Sequence, residues 1–240
     1  MLSRENLEKF TKLQQTSTQN VVREYCQHLF LSYLYQNPGS EKLLFKGGTA
    51  LRIILKSPRY SEDLDFTGAH ITHQEIEDLF TNTLANIEKT GMTVNVREAK
   101  QTTGGYLGIA SFDAYDMKID VQIEVSQRSR KDYKKTRALI TNDFIPAYTL
   151  VHLSMDDIIV GKLEALVARH KPRDFYDYFF LLSGSYPAVR TKENLKKVLK
   201  LLQQENINFQ TELKKFLPAS HTMHLRDFKK LLEQKIKSYL

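Results

Sequence analysis

Apolar and polar positions change their period along the chain, and each change marks a different kind of element. Up to residue 36 the apolar residues recur at three-to-four spacing. Val21, Val22, Tyr25, Leu29 and Tyr33 form one stripe, with Asn20 placed to cap it and Asn37-Pro38-Gly39-Ser40 to end it. Leu43-Leu44-Phe45 is a short apolar strand running into Gly47-Gly48, and a brief helix follows from Thr49 to Leu55, stopped by Pro58. Ser61 to Phe66 reads as a second strand. Thr72 to Lys89 reads as a helix with Ile76, Leu79, Phe80, Leu84 and Ile87 on one side. After Gly91 the period falls to two, at Val94 and Val96, then from Tyr106 to Tyr115 and from Met117 to Val125. From Asp156 to the end the pattern is helical, broken near Pro172, at Ser183 to Pro187, at Asn206 to Asn208 and at Pro218-Ala219. This order predicts an α/β (α+β) domain with a mixed sheet over residues 1–148 and a helical domain over 149–240.

Composition narrows the class without changing this outline. The 240 residues are 41% hydrophobic and 26% charged, as in a folded soluble protein rather than a disordered one. No apolar run approaches the roughly 20 residues of a membrane span, so no membrane role is expected. The opening MLSRENLEKF has no apolar core and is not a signal peptide. The single cysteine, Cys26, excludes an internal disulfide framework and a multi-cysteine zinc site, which points to the cytoplasm. Charge is unevenly placed. Residues 190–240 hold twelve Lys/Arg against five Asp/Glu, which accounts for the whole net charge of +7. A neutral body with a basic tail suits a polyanionic partner, although excess lysine on helices also serves solubility.

The candidate chemistry begins at Lys46-Gly47-Gly48-Thr49 and continues at Ser61-Glu62-Asp63-Leu64-Asp65-Phe66. Residues two apart in a strand share a face, so Asp63 and Asp65 present their carboxylates together while Leu64 and Phe66 face the core. Two like charges that close call for a cation, and Mg2+ suits them because it takes hard oxygens and leaves room for substrate phosphates. The glycine pair, between a strand and a helix, lets backbone N–H groups approach a phosphate. It is not a P-loop, because Lys46 precedes the glycines. In the strand from Met117 to Ser126, Asp120, Gln122, Glu124 and Ser126 share one face, so Asp120 or Glu124 can add a third carboxylate. On the later helices Lys162, Ala165 and Arg169 fall on one stripe. Asp174 and Asp177 share a face, and Arg169–Asp174 and Arg173–Asp177 are also candidate structural ion pairs.

Together these blocks resemble the AbiEii/AbiGii family of nucleotidyltransferase-like toxins, which includes the MenT toxins. The family pattern Gly-Gly-Thr-Ala-Leu appears at Gly47 to Leu51, and Arg-x-Ser-x-Asp-Leu-Asp-Phe at Arg59 to Phe66. The strand ending Glu-hydrophobic-x-x-Arg appears at Glu124 to Arg128, and the helical Lys…Arg…Arg-Asp-x-x-Asp block at Lys162 to Asp177. The resemblance covers residues 44 to 182 in order and selects Glu124 over Asp120. It implies a polymerase-β-like nucleotidyltransferase core followed by an all-helical half. It further implies that Lys46, Gly47, Gly48, Thr49 and Ser61 bind nucleotide phosphates and that Asp63, Asp65 and Glu124 hold Mg2+. Lys162 would neutralise the triphosphate, and Asp174 or Asp177 would complete the site. The implied activity is transfer of a nucleoside monophosphate from an NTP to an RNA acceptor, the tRNA 3′ end in MenT-like members. A separately encoded antitoxin would be the cognate partner. Two alternatives keep the same fold: a protein or small-molecule nucleotidyltransferase, and a non-catalytic binding partner.

Overall fold

The computed structural model describes residues 2–127, 133–204 and 206–240. The helical stretch predicted up to residue 36 is two helices, α1 (Arg4–Leu13) and α2 (Thr18–Leu34). They are separated at Gln15, which adopts a φ of 51°. Ser17, not Asn20, caps α2: its hydroxyl accepts a hydrogen bond from the Asn20 backbone N–H at 3.2 Å. Next come β1 (Leu43–Lys46), α3 (Gly47–Leu55), β2 (Asp63–Gly68) and α4 (His73–Glu88). Helix α4 starts with a reciprocal capping box between Thr72 and Glu75. The period-two region folds as β3 (Thr93–Thr102), β4 (Gly105–Ala114) and β5 (Met117–Ser126). Two further strands, β6 (Lys135–Ile140) and β7 (Tyr148–Leu153), carry no alternation strong enough to announce them. β7 lies between β1 and β6 and is buried at five of its six positions, so its sequence reads as a continuous run.

The chain divides into two compact units, one of Met1–Lys56 with Tyr60–Ser154 and one of Ser57–Arg59 with Met155–Leu240. In the first unit the seven described strands form one mixed sheet in the order β3-β4-β5-β2-β1-β7-β6. The β2–β5 and β1–β7 pairs are parallel and the others antiparallel. Helices α2 and α4 pack together over one sheet face. Phe30, Phe80 and Tyr106 meet there, with ring centroids 6.2 and 6.1 Å apart along the series. Phe45, Phe66 and Val125, at matched register positions on β1, β2 and β5, are buried on one face of the sheet.

The second unit is helical: α5 (Met155–Arg169), α6 (Pro172–Ser183), α7 (Lys192–Gln204), α8 (Phe209–Leu213), α9 (Ala219–Thr222) and α10 (Phe228–Lys237). Its core is aromatic. Phe209 lies edge-on to Phe228 at 4.8 Å, and Tyr176 stacks on Phe228 at 5.7 Å. No described helix is long and apolar enough to cross a membrane.

Candidate active site

The first feature of the site is the turn from β1 into α3. Gly47 opens the helix with a φ of +84°, a conformation that suits glycine. A Cβ built on Gly47 would stand 2.0 Å from Asp65 Oδ2. The absent side chain is therefore what lets the start of α3 lie against the Asp65 carboxylate.

Strand register supplies the rest. Lys46 on β1 pairs opposite Asp65 on β2, and Asp65 pairs opposite Glu124 on β5. Paired residues share a face, so Lys46, Asp65 and Glu124 form one row across three neighbouring strands. Asp63 stands in the next row on that face, opposite Gln122. Gln122 Nε2 donates to Glu124 Oε1 and orients that carboxylate. A cavity of about 440 Å3 is lined by Lys46, Asp65, Leu107, Glu124 and Ser126. Asp120 belongs elsewhere: its register partner is Ser111, and its Oδ2 is 2.6 Å from Arg97. The position chosen from the family pattern is thus also the one that β-sheet pairing sets beside Asp65.

Thr49 is fully buried, and its hydroxyl donates to the Asp63 carbonyl at 2.5 Å, so that side chain holds the strand carrying the acids. Ser61 sits two residues before β2, and its carbonyl accepts a hydrogen bond from Gln27. Gln27, on α2, was not among the candidates. Its only trace in the sequence is a polar residue inside a helix whose buried positions extend from Asn20 to Leu34. A second cavity of about 390 Å3 lies by Glu24, His28, Arg52 and Lys56 and touches none of the candidate acids.

The remaining candidates belong to the second unit. Asp177 is buried and bound by two cations. Arg59 Nε lies 2.8 Å from its Oδ1, and Lys162 Nζ lies 2.8 Å from its Oδ2. Burial pushes the Asp177 carboxyl up, but Arg59 and then Lys162 outweigh it and hold it down to about 2. Asp174 is held separately by Arg169 at 2.6 Å, so that structural ion pair is present. Arg173 reaches Glu212 at 3.6 Å. Arg59, read in the sequence only as a motif letter, is the group that joins Lys162 on Asp177. Arg128, the last letter of the β5 pattern, lies outside the described residues.

Among the described residues no three His, Cys, Asp or Glu side chains gather into a ready cage for a metal. The donors do suit one class of ion. Asp63 and Asp65 on one strand, with Glu124 beside Asp65, offer only hard carboxylate oxygens. Mg2+ is commonly bound through one or two carboxylates, with water and substrate phosphates filling its other positions.

Residues 29–238 match the model of a family described as the AbiEii nucleotidyl transferase toxin of type IV toxin–antitoxin systems. No curated protein matches the chain by sequence. Among solved structures, the MenT4 nucleotidyltransferase toxin of Mycobacterium tuberculosis superposes with a TM-score of 0.69 at 15% identity, covering 99% of this chain and 90% of that one. JHP933 of Helicobacter pylori gives a TM-score of 0.54 at 18% identity, covering 93% of this chain and 95% of that one. At these identities the superpositions speak for the fold.

Proposed function

The chain belongs to the AbiEii family of nucleotidyltransferase toxins of type IV toxin–antitoxin systems, and from that premise we propose that it transfers a nucleoside monophosphate from an NTP to an RNA 3′ end, a tRNA in particular. The observation that carries the proposal is the Lys46–Asp65–Glu124 row set against the glycine that opens α3. Nucleotidyl transfer needs positioning and charge neutralisation more than covalent chemistry, and this row offers a cation, two carboxylates and backbone donors in one place.

Placement supports the following division of roles. The N–H groups of Gly47, Gly48 and Thr49 at the start of α3 take the anionic phosphates with the adjoining Lys46 ammonium, and the part of the Ser61 hydroxyl in this rests on the family resemblance. Asp63, Asp65 and Glu124 would hold Mg2+, which supplies charge neutralisation at the reacting phosphate and on the departing pyrophosphate. Glu124, oriented by Gln122, accepts the proton of the attacking 3′-hydroxyl. In this step the new bond joins the acceptor oxygen to the α-phosphorus, the α–β bridging oxygen leaves with pyrophosphate, and the proton passes to the carboxylate. The role of Lys162 at the triphosphate, and of Asp174 or Asp177 in completing the site, rests on the family resemblance alone. The structure gives Lys162 an ion pair with Asp177.

Support for an RNA acceptor comes from charge. Lys196, Lys197 and Lys200 are exposed on α7, and Lys230 and Lys237 on α10, in the segment that carries the chain's net +7. Phosphate contacts of this kind bind RNA largely without regard to sequence. The family's type IV toxin–antitoxin description supports an antitoxin partner, which we take to be separately encoded, and we assign the reaction to the cytoplasm on the same reading.

The test is to incubate the protein with Mg2+, total tRNA and each α-labelled NTP in turn. Label in tRNA, removable with 3′-terminal nucleotides, is the expected result. Label in protein instead, or in neither, would overturn the RNA reading.

A further inference from the structure

The Ser61 and Glu62 backbone lies just before β2, and the ladder that fixes the strand begins only at Asp63, opposite Gln122. Sheet pairing therefore does not place the two residues leading into the acids. Gln27 reaches them. Its Nε2 donates to the Ser61 carbonyl at 3.0 Å and to the Glu62 carbonyl at 3.1 Å. The next carbonyl, of Asp63, accepts from the Thr49 hydroxyl. Three successive carbonyls, at 61, 62 and 63, thus accept hydrogen bonds from side chains of α2 and α3. The Glu62 side chain is tied as well, 3.6 Å from Arg23 on α2.

Gln27 is 2% exposed, on a helix that buries Val21, Val22, Tyr25, Cys26, Phe30 and Leu31. Packing alone would be served as well by methionine of similar volume, and an amide in that setting is costly unless its hydrogen bonds are made. Both hydrogens of one amide nitrogen meet consecutive carbonyls here, a match that requires a forked donor.

We propose that Gln27 is a positioning residue for nucleotidyl transfer: acting through the Ser61–Asp63 backbone, it sets where the Ser61 hydroxyl and the Asp63 carboxylate meet the substrate. This rests on the nucleotidyltransferase reading above. It assigns Gln27 no contact with the nucleotide.

The test is Gln27→Met in the full chain. Three quantities are compared with wild type: hydrogen exchange at the amides of residues 61–63, binding stoichiometry for the four α,β-methylene NTPs, and kcat and KM per nucleotide-binding site. Faster exchange confined to that segment is expected. With it, kcat per site falls by about tenfold or more, since misplacement by about 1 Å costs up to roughly a hundredfold. KM for the NTP stays within about threefold, because Lys46 and the α3 backbone are untouched. Normalising to bound analogue removes any loss of folded protein, so a merely structural glutamine would leave kcat per site at the wild-type value. That result, or unchanged exchange, overturns the proposal and leaves the nucleotidyltransferase reading standing. If wild type binds none of the four analogues, that reading itself fails, and exchange alone still decides whether Gln27 anchors the segment. Should Gln27→Met not fold, Thr49→Val removes the neighbouring bond and must show the same signature at residues 61–63; its absence overturns the proposal too.

Discussion

At Asp177 burial and pairing oppose each other, and pairing prevails. The carboxyl titrates near 3.8 when unfolded and at about 2 in the folded chain. A group whose pKa is lowered on folding contributes stability that is complete above its unfolded pKa and disappears as pH falls through the folded one. For Asp177 that window runs from about pH 4 to about pH 2, and the contribution above it is about 2 kcal/mol. Asp177→Asn keeps the shape but leaves Arg59 and Lys162 facing a neutral amide. A cost of about 3–5 kcal/mol at pH 7 is expected, since breaking a buried pair strands the remaining charges. Thermal melts of both proteins across acid pH check this. The deficit of the variant should be full at pH 7 and shrink as pH falls from about 4 to about 2, where the wild-type carboxyl also becomes neutral. The same melts separate support of the second unit from any direct part in transfer, because activity is measured on the folded fraction.

Among the elements, the β1–α3 turn joins backbone strain to site geometry, and two glycines separate these effects. Gly39 and Gly47 have nearly equal φ values, +86° and +84°, but only Gly47 has a neighbour where a Cβ would go. Gly39→Ala should cost about 1–3 kcal/mol of backbone strain and leave nucleotide binding unchanged. Gly47→Ala carries a similar strain and also drives the methyl into Asp65, so nucleotide binding should fall by more than tenfold. Melting and nucleotide titration on both variants check the difference. The turn was legible in the sequence because it is local: an apolar run, two glycines and a helical stripe lie within a few residues. So were the Asp63–Asp65 pair and the helix that begins near Thr72. The placement of Glu124 beside Asp65 was not legible from spacing, since it depends on a parallel pairing of β2 with β5 across intervening elements. Strand β7 lost its alternation because it is buried on both faces, whereas edge strand β6 lost it because apolar Leu139 sits on the exposed side with Lys135 and Arg137. Helix α2 hid its role for a related reason. Its apolar residues read as one stripe with the polar ones off it, yet Glu24 holds Arg52 at 2.8 Å, Gln27 holds the lead into β2, and His28 meets the Tyr148 hydroxyl at 2.9 Å.

Over the whole molecule, charge separates from chemistry: the carboxylates of the candidate site lie in the neutral part of the chain, and the excess of lysine and arginine lies after residue 189. Reversing Lys196, Lys197 and Lys200 to Glu should therefore weaken tRNA binding while leaving NTP binding within about twofold. These side chains are exposed on α7, whose buried face is Leu195, Val198 and Leu202, so the fold should survive. The log–log salt slope of tRNA affinity should flatten by about 0.7 to 0.9 for each phosphate contact removed. Filter binding over a salt series reads both effects, and an unchanged slope would detach the tail from RNA. The central claim concerns the row across β1, β2 and β5, and one assay bears on it most directly: single-turnover transfer of α-labelled nucleotide by Asp65→Asn and Glu124→Gln, with Asp120→Asn as the control on the same face. Each change keeps side-chain shape and removes one charge. Transfer should fall by at least a hundredfold in Asp65→Asn and Glu124→Gln, with melting temperatures close to wild type, and stay within about threefold in Asp120→Asn. Transfer near the wild-type rate in Asp65→Asn, or a loss in Asp120→Asn equal to that in Glu124→Gln, would contradict the account.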